Sequence, residues 1–166
     1  MTADTRDFDA AAELHEIRLL QLPVAVHAVA QEHSAELMRE MYLLAQQVKE
    51  TGSQQLPSRL IALVDALGHQ FAGLTTDQDL QLEAAIAAET AEIDILYSLP
   101  QAAGPAAQAL GAMLDEADEF CRQGKHLLTL ATAPESVTYR RWYLQQFIDQ
   151  LAGLPPTTWP DYKAAN

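Results

Sequence analysis

Hydrophobic residues recur every three or four positions along most of this chain, which is the spacing of an amphipathic helix. Clusters rich in glycine and proline interrupt the pattern and divide the chain. They lie at residues 21–23, 52–57, 73–77, 100–105, 124–134 and 153–160. Between them are five segments that are long enough for helices and rich in alanine, leucine, glutamate and glutamine. The pattern therefore predicts an all-α fold, a bundle of about five helices.

The predicted helices each present one apolar face. They run over residues 23–49, from about 57 onward, over 77–98, 105–123 and 134–151. On the first helix the apolar stripe consists of Val26, Ala30, His33, Leu37, Met41, Leu44 and Val48. The fourth aligns Leu110, Met113, Leu114, Ala117 and Cys121, and the fifth aligns Val137, Leu144, Ile148 and Leu151 before a stop at Gly153.

Two short apolar segments depart from the helical pattern. They are residues 17–22 (IRLLQL) and 126–131 (HLLTLA), each bounded by proline or glycine. Either is compatible with a strand, and together they are compatible with a two-stranded ribbon over one end of the bundle. Loosely helical loops are the alternative, because periodicity does not separate the two in so short a run. We expect one domain over residues 1–166, with residues 1–13 and 161–166 flexible and with the tail either pinned by Trp159 or trailing in solvent.

Composition places the chain among globular proteins and narrows its partners. Its 166 residues are 49% hydrophobic and 20% charged, which is enough to bury a sizeable core. The formal charge of −13 argues against nucleic acid and anionic membranes, whose phosphates require clustered lysine and arginine. A single cysteine, Cys121, permits no internal disulfide and favours the cytoplasm. We find no signal peptide and no apolar run long enough for a membrane span.

Residue patterns for catalysis and metal binding are weak. His33 and Glu36 are close enough on one helix to share a metal, but no Glu-x-x-His or His-x-x-x-His pair occurs. We therefore interpret His33 as a core or interface histidine and predict no metal site and no cofactor. No serine lies in a Gly-x-Ser-x-Gly turn, so no catalytic residue is assigned and the chain is not predicted to be an enzyme.

Aromatic and basic residues concentrate in the C-terminal third. Seven of the eleven aromatic residues lie between positions 120 and 162. On the fifth helix Tyr139, Tyr143 and Phe147 extend the apolar arc. Arg140 projects into the middle of that arc, so we predict that it is partly buried and paired with Asp118 or Glu119.

Trp142 projects outside the apolar arc and has two interpretations. In the structural one, the tail folds back and residues 155, 156 and 159 cover it. In the functional one, it anchors a contact surface, because tryptophan, tyrosine and arginine are enriched in interaction hot spots. That predicted surface consists of Tyr139, Arg141, Trp142, Tyr143 and Trp159. A site for an anionic small molecule between Arg122, Lys125, His126 and Arg141 is a weaker alternative, because acidic residues at 115–119 oppose it.

The same region carries a resemblance. Residues 116–122 (EADEFCR), 127–130 (LLTL), 139–144 (YRRWYL), 150–153 (QLAG) and 156–160 resemble a poorly characterised actinobacterial group of small helical proteins. Similar blocks accompany ATPase-like anti-sigma regulators of the serine-kinase type, and residues 19–24 and 93–100 also look similar to this group. The resemblance implies regulation of signalling or transcription through partner proteins. The Asn- and Gly-rich ATP-binding boxes of those kinases are absent, since the only asparagine is Asn166.

Three functional hypotheses follow. The first is a cytoplasmic regulatory or adaptor protein that binds another protein, either an anti-sigma-type regulator or a second copy of itself. The second is a sensor that holds a metabolite or nucleotide inside the helical bundle. The third is a metal-dependent enzyme.

Overall fold

The computed structural model describes residues 13–48, 56–123 and 131–166. Within these ranges the chain forms two strands and six helices, so the fold is mainly helical with a two-stranded antiparallel ribbon. In chain order the elements are β1 (Leu14–Pro23), α1 (Val24–Val48), α2 (Leu56–Gln70), α3 (Thr76–Ala87), β2 (Glu92–Pro100), α4 (Ala103–Arg122), α5 (Pro134–Leu151) and α6 (Trp159–Ala165). The predicted helical class is confirmed, and so is the presence of a ribbon. No helix in the described ranges is long and apolar enough to cross a membrane.

Four of the five predicted helices lie where the hydrophobic pattern places them. α5 begins and ends at the predicted residues, with Pro134 in its first turn, where a missing N–H costs nothing. α1 and α4 begin and end within two residues of their predicted bounds. The flexibility expected for residues 1–13 and 161–166 stays a prediction, since residues 1–12 lie outside the described part and 159–165 form α6.

The prediction of a helix over residues 77–98 is wrong. α3 ends at Ala87, and Glu92–Pro100 is the strand β2. β2 pairs antiparallel with β1, which contains the predicted segment 17–22. The other predicted ribbon segment, 126–131, falls outside the described residues except for Ala131, which lies in no strand. The ribbon is therefore built from β1 and β2.

The ribbon covers the core with one face. Ile95, Tyr97 and Leu99 of β2 alternate with exposed residues and are almost fully buried, as strand geometry requires. On β1, a β-bulge separates the pairs Leu19↔Ile95 and Leu22↔Ile93. Leu19 and Leu22, three positions apart, are therefore both buried against the core, which regular alternation would forbid.

One residue of that bulge has a strained backbone. Gln21 has a positive φ of 54°, a region that costs energy for a residue with a side chain. Its backbone N–H donates to Oδ1 of Asp94 at 2.8 Å, and its side-chain amide donates to Glu92 at 3.3 Å. These hydrogen bonds to β2 fix the bulge in place.

Two glutamine side chains protect the outer edges of the ribbon. The backbone N–H of Arg18 donates to Oε1 of Gln150 at 2.8 Å, and the backbone oxygen of Arg18 accepts from Nε2 of Gln150 at 2.9 Å. Directly opposite, the backbone oxygen of Leu96 accepts from Nε2 of Gln78 at 2.6 Å. Helices α5 and α3 thus occupy backbone groups that would otherwise be open to pairing with another strand.

The helices bury two hydrophobic clusters. The larger joins the inner face of the ribbon to α5 and α6 and includes Ile17, Tyr97, Trp142, Phe147 and Trp159. The smaller lies between α1, α2 and α4 and includes Leu37, Met41, Leu60, Ala117 and Cys121. Cys121 is thus a buried apolar side chain, as predicted. α1, α4 and α5, which contribute residues to these clusters, surround a common pocket.

α3 and α5 end in the same hydrogen-bond motif with different residues at its turning point. At α5, the N–H of Leu154 donates to the oxygen of Asp149, and Gly153 has a φ of 87°. At α3, the N–H of Thr90 donates to the oxygen of Ala85, and Glu89 has a φ of 51°. This arrangement normally places glycine in the left-handed position, so Glu89 is strained where Gly153 is not.

We therefore expect Glu89→Gly to raise the free energy of unfolding by about 1 kcal/mol, because glycine adopts a positive φ without steric cost. The matched change Gly153→Ala is expected to lower it by a similar amount. Chemical denaturation of the two variants measures both effects. If Glu89→Gly lowers stability, the α3 terminus is not strained as described.

Candidate functional site

The aromatic corner at the end of the chain is covered. Trp142 has no exposed surface, and Tyr139 and Trp159 are 4% and 6% exposed. The ring of Trp142 lies 5.6 Å from that of Trp159 and 5.8 Å from that of Tyr139, measured between centroids. The expectation that these three residues form an exposed contact surface is wrong, and the structure has the alternative, in which the tail folds back over Trp142.

Hydrogen bonds to one tail residue explain this cover. The indole Nε1 of Trp142 donates to the backbone oxygen of Thr157 at 2.9 Å. The backbone N–H of Thr157 donates to Oε1 of Gln146, a buried side chain, at 2.8 Å. Thr158 then caps α6 by accepting from the N–H of Asp161. Two side chains of α5 therefore bond to the backbone N–H and oxygen of Thr157. Trp159 of α6 then packs against Trp142.

The remaining two residues of the predicted surface have different environments. The side chain of Arg141 is 59% exposed, with Nη2 3.6 Å from a carboxylate oxygen of Asp115. Tyr143 is partly buried, and its hydroxyl is 2.7 Å from that of Tyr97. Burial raises the pKa of Tyr97 to about 12 and that of Tyr143 well above its ordinary value, so both phenols stay protonated. Of the five predicted residues, Arg141 is the one at the surface.

The predicted ion pair joins Arg140 to Asp118. Nη2 of Arg140 lies 2.8 Å from Oδ2 of Asp118 and 2.6 Å from Oδ1 of Asp115. Glu119, the other predicted acid, pairs instead with Arg122 at the surface. Burial by itself raises the pKa of Asp118, but hydrogen bonds from Thr132 and Arg140 outweigh it, so the pKa lies below its ordinary value. Asp118 is therefore a buried charge that depends on Arg140 and Thr132.

A pocket of about 200 Å3 lies between α1, α4 and α5 beside this ion pair. Its surface is mainly apolar, and polar groups come from α1, from α5 and from the segment that precedes α5. It is lined by His27, Ala30, Gln31, His33, Ser34, Leu37, Leu110, Leu114, Thr132, Ser136, Tyr139, Arg140, Tyr143 and Leu144. Concave, largely apolar sites with a few polar groups are typical of small-molecule binding.

Two histidines of α1 meet hydroxyl groups at this pocket. Nδ1 of His27 is 2.7 Å from the hydroxyl of Tyr139. Nε2 of His33 is 2.9 Å from the hydroxyl of Thr132, which itself donates to Asp118. Since the Thr132 proton is committed to Asp118, His33 must carry its proton on Nε2 and donate it to Thr132. Both histidines are therefore held by the wall of the pocket, and His33 has the satisfied environment that was predicted.

One buried polar group of α5 lacks such a partner. Nε of Arg140 is buried and has no hydrogen-bond partner within the described residues. Ser136 also lines the pocket and is 4% exposed, but its hydroxyl is not an enclosed, unpaired group as Nε of Arg140 is. The two residues are four positions apart and so lie on the same face of α5. Unpaired buried polar groups are rare in folded proteins, and a bound water, ion or ligand is a usual explanation for one.

The described residues give less support to a metal site or to the predicted site for an anionic ligand. No group of three or more His, Cys, Asp or Glu residues in the described ranges is arranged to hold a metal ion. Of the four residues predicted for an anionic ligand, Lys125 and His126 lie outside the described residues, and Arg122 is engaged by Glu119.

Sequence reasoning missed His27 and Ser136. The signal for His27 was present, since it lies three and seven positions before Ala30 and Ser34 and so shares their face of α1. Nothing in the sequence indicates that Ser136 lines a pocket, because that depends on its neighbours in space.

Comparison with protein-family models, curated proteins and solved structures finds no match to this chain.

His27 provides a test of the buried pocket wall. Burial lowers the pKa of His27, and nearby Asp79 opposes the shift only in part. The unfolded chain, with a histidine pKa of about 6.5, therefore binds more protons below that pH than the folded chain does. We expect stability to fall as the pH is lowered from 7.5 to 5.5, and the slope to be smaller in His27→Gln.

Urea denaturation at a series of pH values measures this slope. His69→Gln is the control, because His69 is exposed. An equal slope in the wild type and in His27→Gln would mean that His27 is not buried as described.

Proposed function

We propose that this protein is a regulatory protein that binds a small molecule in the pocket between α1, α4 and α5. The observation that carries the proposal is a mainly apolar pocket whose lining includes Ser136 and Arg140, the latter with a buried and unpaired Nε. Leaving a buried group such as the Arg140 Nε without a partner costs about 1–3 kcal/mol, and a ligand that pairs with it recovers part of that cost. This corresponds to the second hypothesis, a sensor within the bundle.

The burial of Tyr139, Trp142 and Trp159 favours this hypothesis over the first one, which placed a protein contact surface on these residues. A contact surface centred on Trp142 would require α6 and the tail to leave their positions. The third hypothesis, a metal-dependent enzyme, has no cluster of metal ligands in its favour among the described residues. We therefore propose binding rather than catalysis as the activity.

Contacts of Tyr139 suggest how binding would regulate a partner. Tyr139 lines the pocket, and its ring lies 5.8 Å from those of Trp142 and Trp159. A ligand that displaces Tyr139 would therefore disturb the packing of α6. A partner protein that binds one position of α6 more tightly than the other would then bind differently in the presence of the ligand. We propose that this partner is a protein in the cytoplasm, with an anti-sigma-type regulator and a second copy of the chain as the candidates.

A thermal-shift screen with a broad metabolite and nucleotide set tests the proposal, because a ligand that binds the native state raises the unfolding temperature. The control is Ser34→Leu, which fills the pocket from α1, compared with Ala35→Leu, the same gain of a side chain at an exposed position. We expect a hit to stabilise the wild type and Ala35→Leu but not Ser34→Leu. No hit in the whole set, or a hit that also stabilises Ser34→Leu, would overturn the proposal.

A further inference from the structure

The volume of the pocket matches a ligand part of about one ring. An engineered cavity of roughly 150 Å3 binds benzene, and drug-sized molecules need about 300–1,000 Å3. The pocket here, at about 200 Å3, lies close to the lower figure. Its leucines come from three helices, with Leu37 on α1, Leu110 and Leu114 on α4 and Leu144 on α5. A flat, apolar ring with a small substituent fits such a space.

The charges beside the pocket already cancel. Nη2 of Arg140 is shared by Asp115 and Asp118, and Asp115 also lies 3.6 Å from Arg141. Two guanidinium groups therefore face two carboxylates. An anionic ligand at Arg140 would compete with Asp118, whose side chain is only 3% exposed, and two buried like charges are costly. A cationic ligand would compete with Arg140 for the same carboxylates.

Two polar groups of the pocket lining, the unpaired Nε of Arg140 and the Ser136 hydroxyl, define the polar part of the ligand. Nε–H of Arg140 is a donor only, and the Ser136 hydroxyl is both donor and acceptor. A neutral oxygen acceptor satisfies the first, and an adjacent N–H satisfies the second. Because Nε is enclosed, the guanidinium must shift slightly for the oxygen to reach it, a side-chain change that is common on binding.

We infer that the ligand is an uncharged, ring-sized compound with a carbonyl-type acceptor, held by Arg140 Nε and the Ser136 hydroxyl. This inference rests on the proposed function and specifies the chemical class that the pocket selects. The apolar walls supply affinity for the ring, and the two polar groups supply the orientation.

Four compounds of equal size test the inference: benzamide, benzoate, benzamidine and cumene. They share the ring and the branched substituent and are neutral with an acceptor, anionic, cationic and apolar, respectively. Titration of the folded wild type with each, followed by ligand-observed NMR, gives four dissociation constants. We expect benzamide to bind in the millimolar range and at least about threefold to tenfold more tightly than each of the others, the effect of one hydrogen bond.

Two variants locate the binding. Ser136→Ala is expected to weaken benzamide binding about threefold to tenfold and to leave cumene binding unchanged. Arg140→Lys keeps a positive charge beside Asp118 but has no donor at the Nε position, so it should have the same selective effect. Ala35→Leu, at the exposed position, should change neither.

The outcomes separate the two proposals. Preference for benzoate, benzamidine or cumene that is lost in Ser34→Leu overturns the ligand class and leaves the pocket as a binding site. Binding of none of the four, with a hit in the broader screen, does the same. An unchanged benzamide affinity in both Ser136→Ala and Arg140→Lys overturns the assigned contacts. Failure of the broader screen as well overturns the proposed function itself.

Discussion

Replacing Trp142 with alanine is expected to lower the free energy of unfolding by about 3–5 kcal/mol, the usual cost of removing a large buried aromatic side chain. The side chain has no exposed surface and packs against Tyr139 and Trp159. Its loss also removes the donor to the backbone oxygen of Thr157, so the tail is released from one of its two attachments. We expect α6 to become accessible to limited proteolysis in this variant.

Arg141→Ala is the matched control for Trp142→Ala. Arg141 is the next residue on the same helix and is largely exposed, so its loss should change stability by no more than about 0.5 kcal/mol. Trp142→Phe should fall between the two, because it keeps an aromatic ring but loses the indole N–H. Chemical denaturation measures all three. A small loss in Trp142→Ala, or an equal loss in Arg141→Ala, would show that the tail does not seal this residue.

Replacing Arg140 with methionine is expected to cost about 3–5 kcal/mol, because it leaves the buried carboxylate of Asp118 without its counter-charge. The exposed pair Arg122–Glu119 offers a matched comparison. Arg122→Met should cost no more than about 1 kcal/mol, since solvent screens the charges of that pair. Combining Arg140→Met with Asp118→Asn should recover part of the loss, because no uncompensated charge then remains.

The pH dependence of the Arg140→Met variant has a defined sign. In the wild type the pKa of Asp118 lies below its ordinary value of 3.8, so the stabilisation from the ion pair is present above that pH and is lost as the pH falls through the lower native value. In the variant Asp118 becomes easier to protonate, and protonation relieves the penalty. The stability difference between wild type and variant should therefore narrow as the pH is lowered. Denaturation curves from about pH 7 to about pH 4 test this. A difference that widens as the pH falls would contradict it.

The helical part of the fold was readable from the sequence because it depends on local periodicity. α1, α4 and α5 each bury a stripe that repeats every three to four residues, and proline or glycine bounds α5 at both ends. Arg140 was readable for the same reason, since a charge in the middle of an apolar arc must be partly buried and needs a partner. The sequence did not predict which acid pairs with Arg140, because Asp118 and Glu119 are adjacent on α4 and differ only in the face of the helix on which they lie.

The end of α3 was predicted wrongly because the residue at which the helix ends is not a glycine. Helices of this kind usually end at glycine, as α5 does at Gly153, but here Glu89 takes the left-handed position. The alanine-rich segment before it gave no reason to stop. A strand signal did follow, since Ile93, Ile95, Tyr97 and Leu99 alternate with other residues, and period-two alternation marks a half-buried strand.

The sequence predicted only part of the candidate site. His33 was placed on the inner stripe of α1, where it lines the pocket, but His27 and Ser136 were not identified. Trp142 was placed outside the apolar arc of α5, which describes the helix alone correctly. The side chain is nevertheless buried, because α6 adds a second buried face to α5.

By itself the sequence determined the helical class, the bounds of α1, α4 and α5 and the burial of Arg140, because each follows from the spacing of apolar residues along one segment. The tertiary structure alone decided which acid pairs with Arg140, which strand pairs with β1, whether Trp142 is covered, and which polar groups stay without partners. Those outcomes depend on contacts between residues far apart in the chain, such as His33 with Thr132 or Arg18 with Gln150. Local periodicity carries no information about such contacts, since packing between elements selects them.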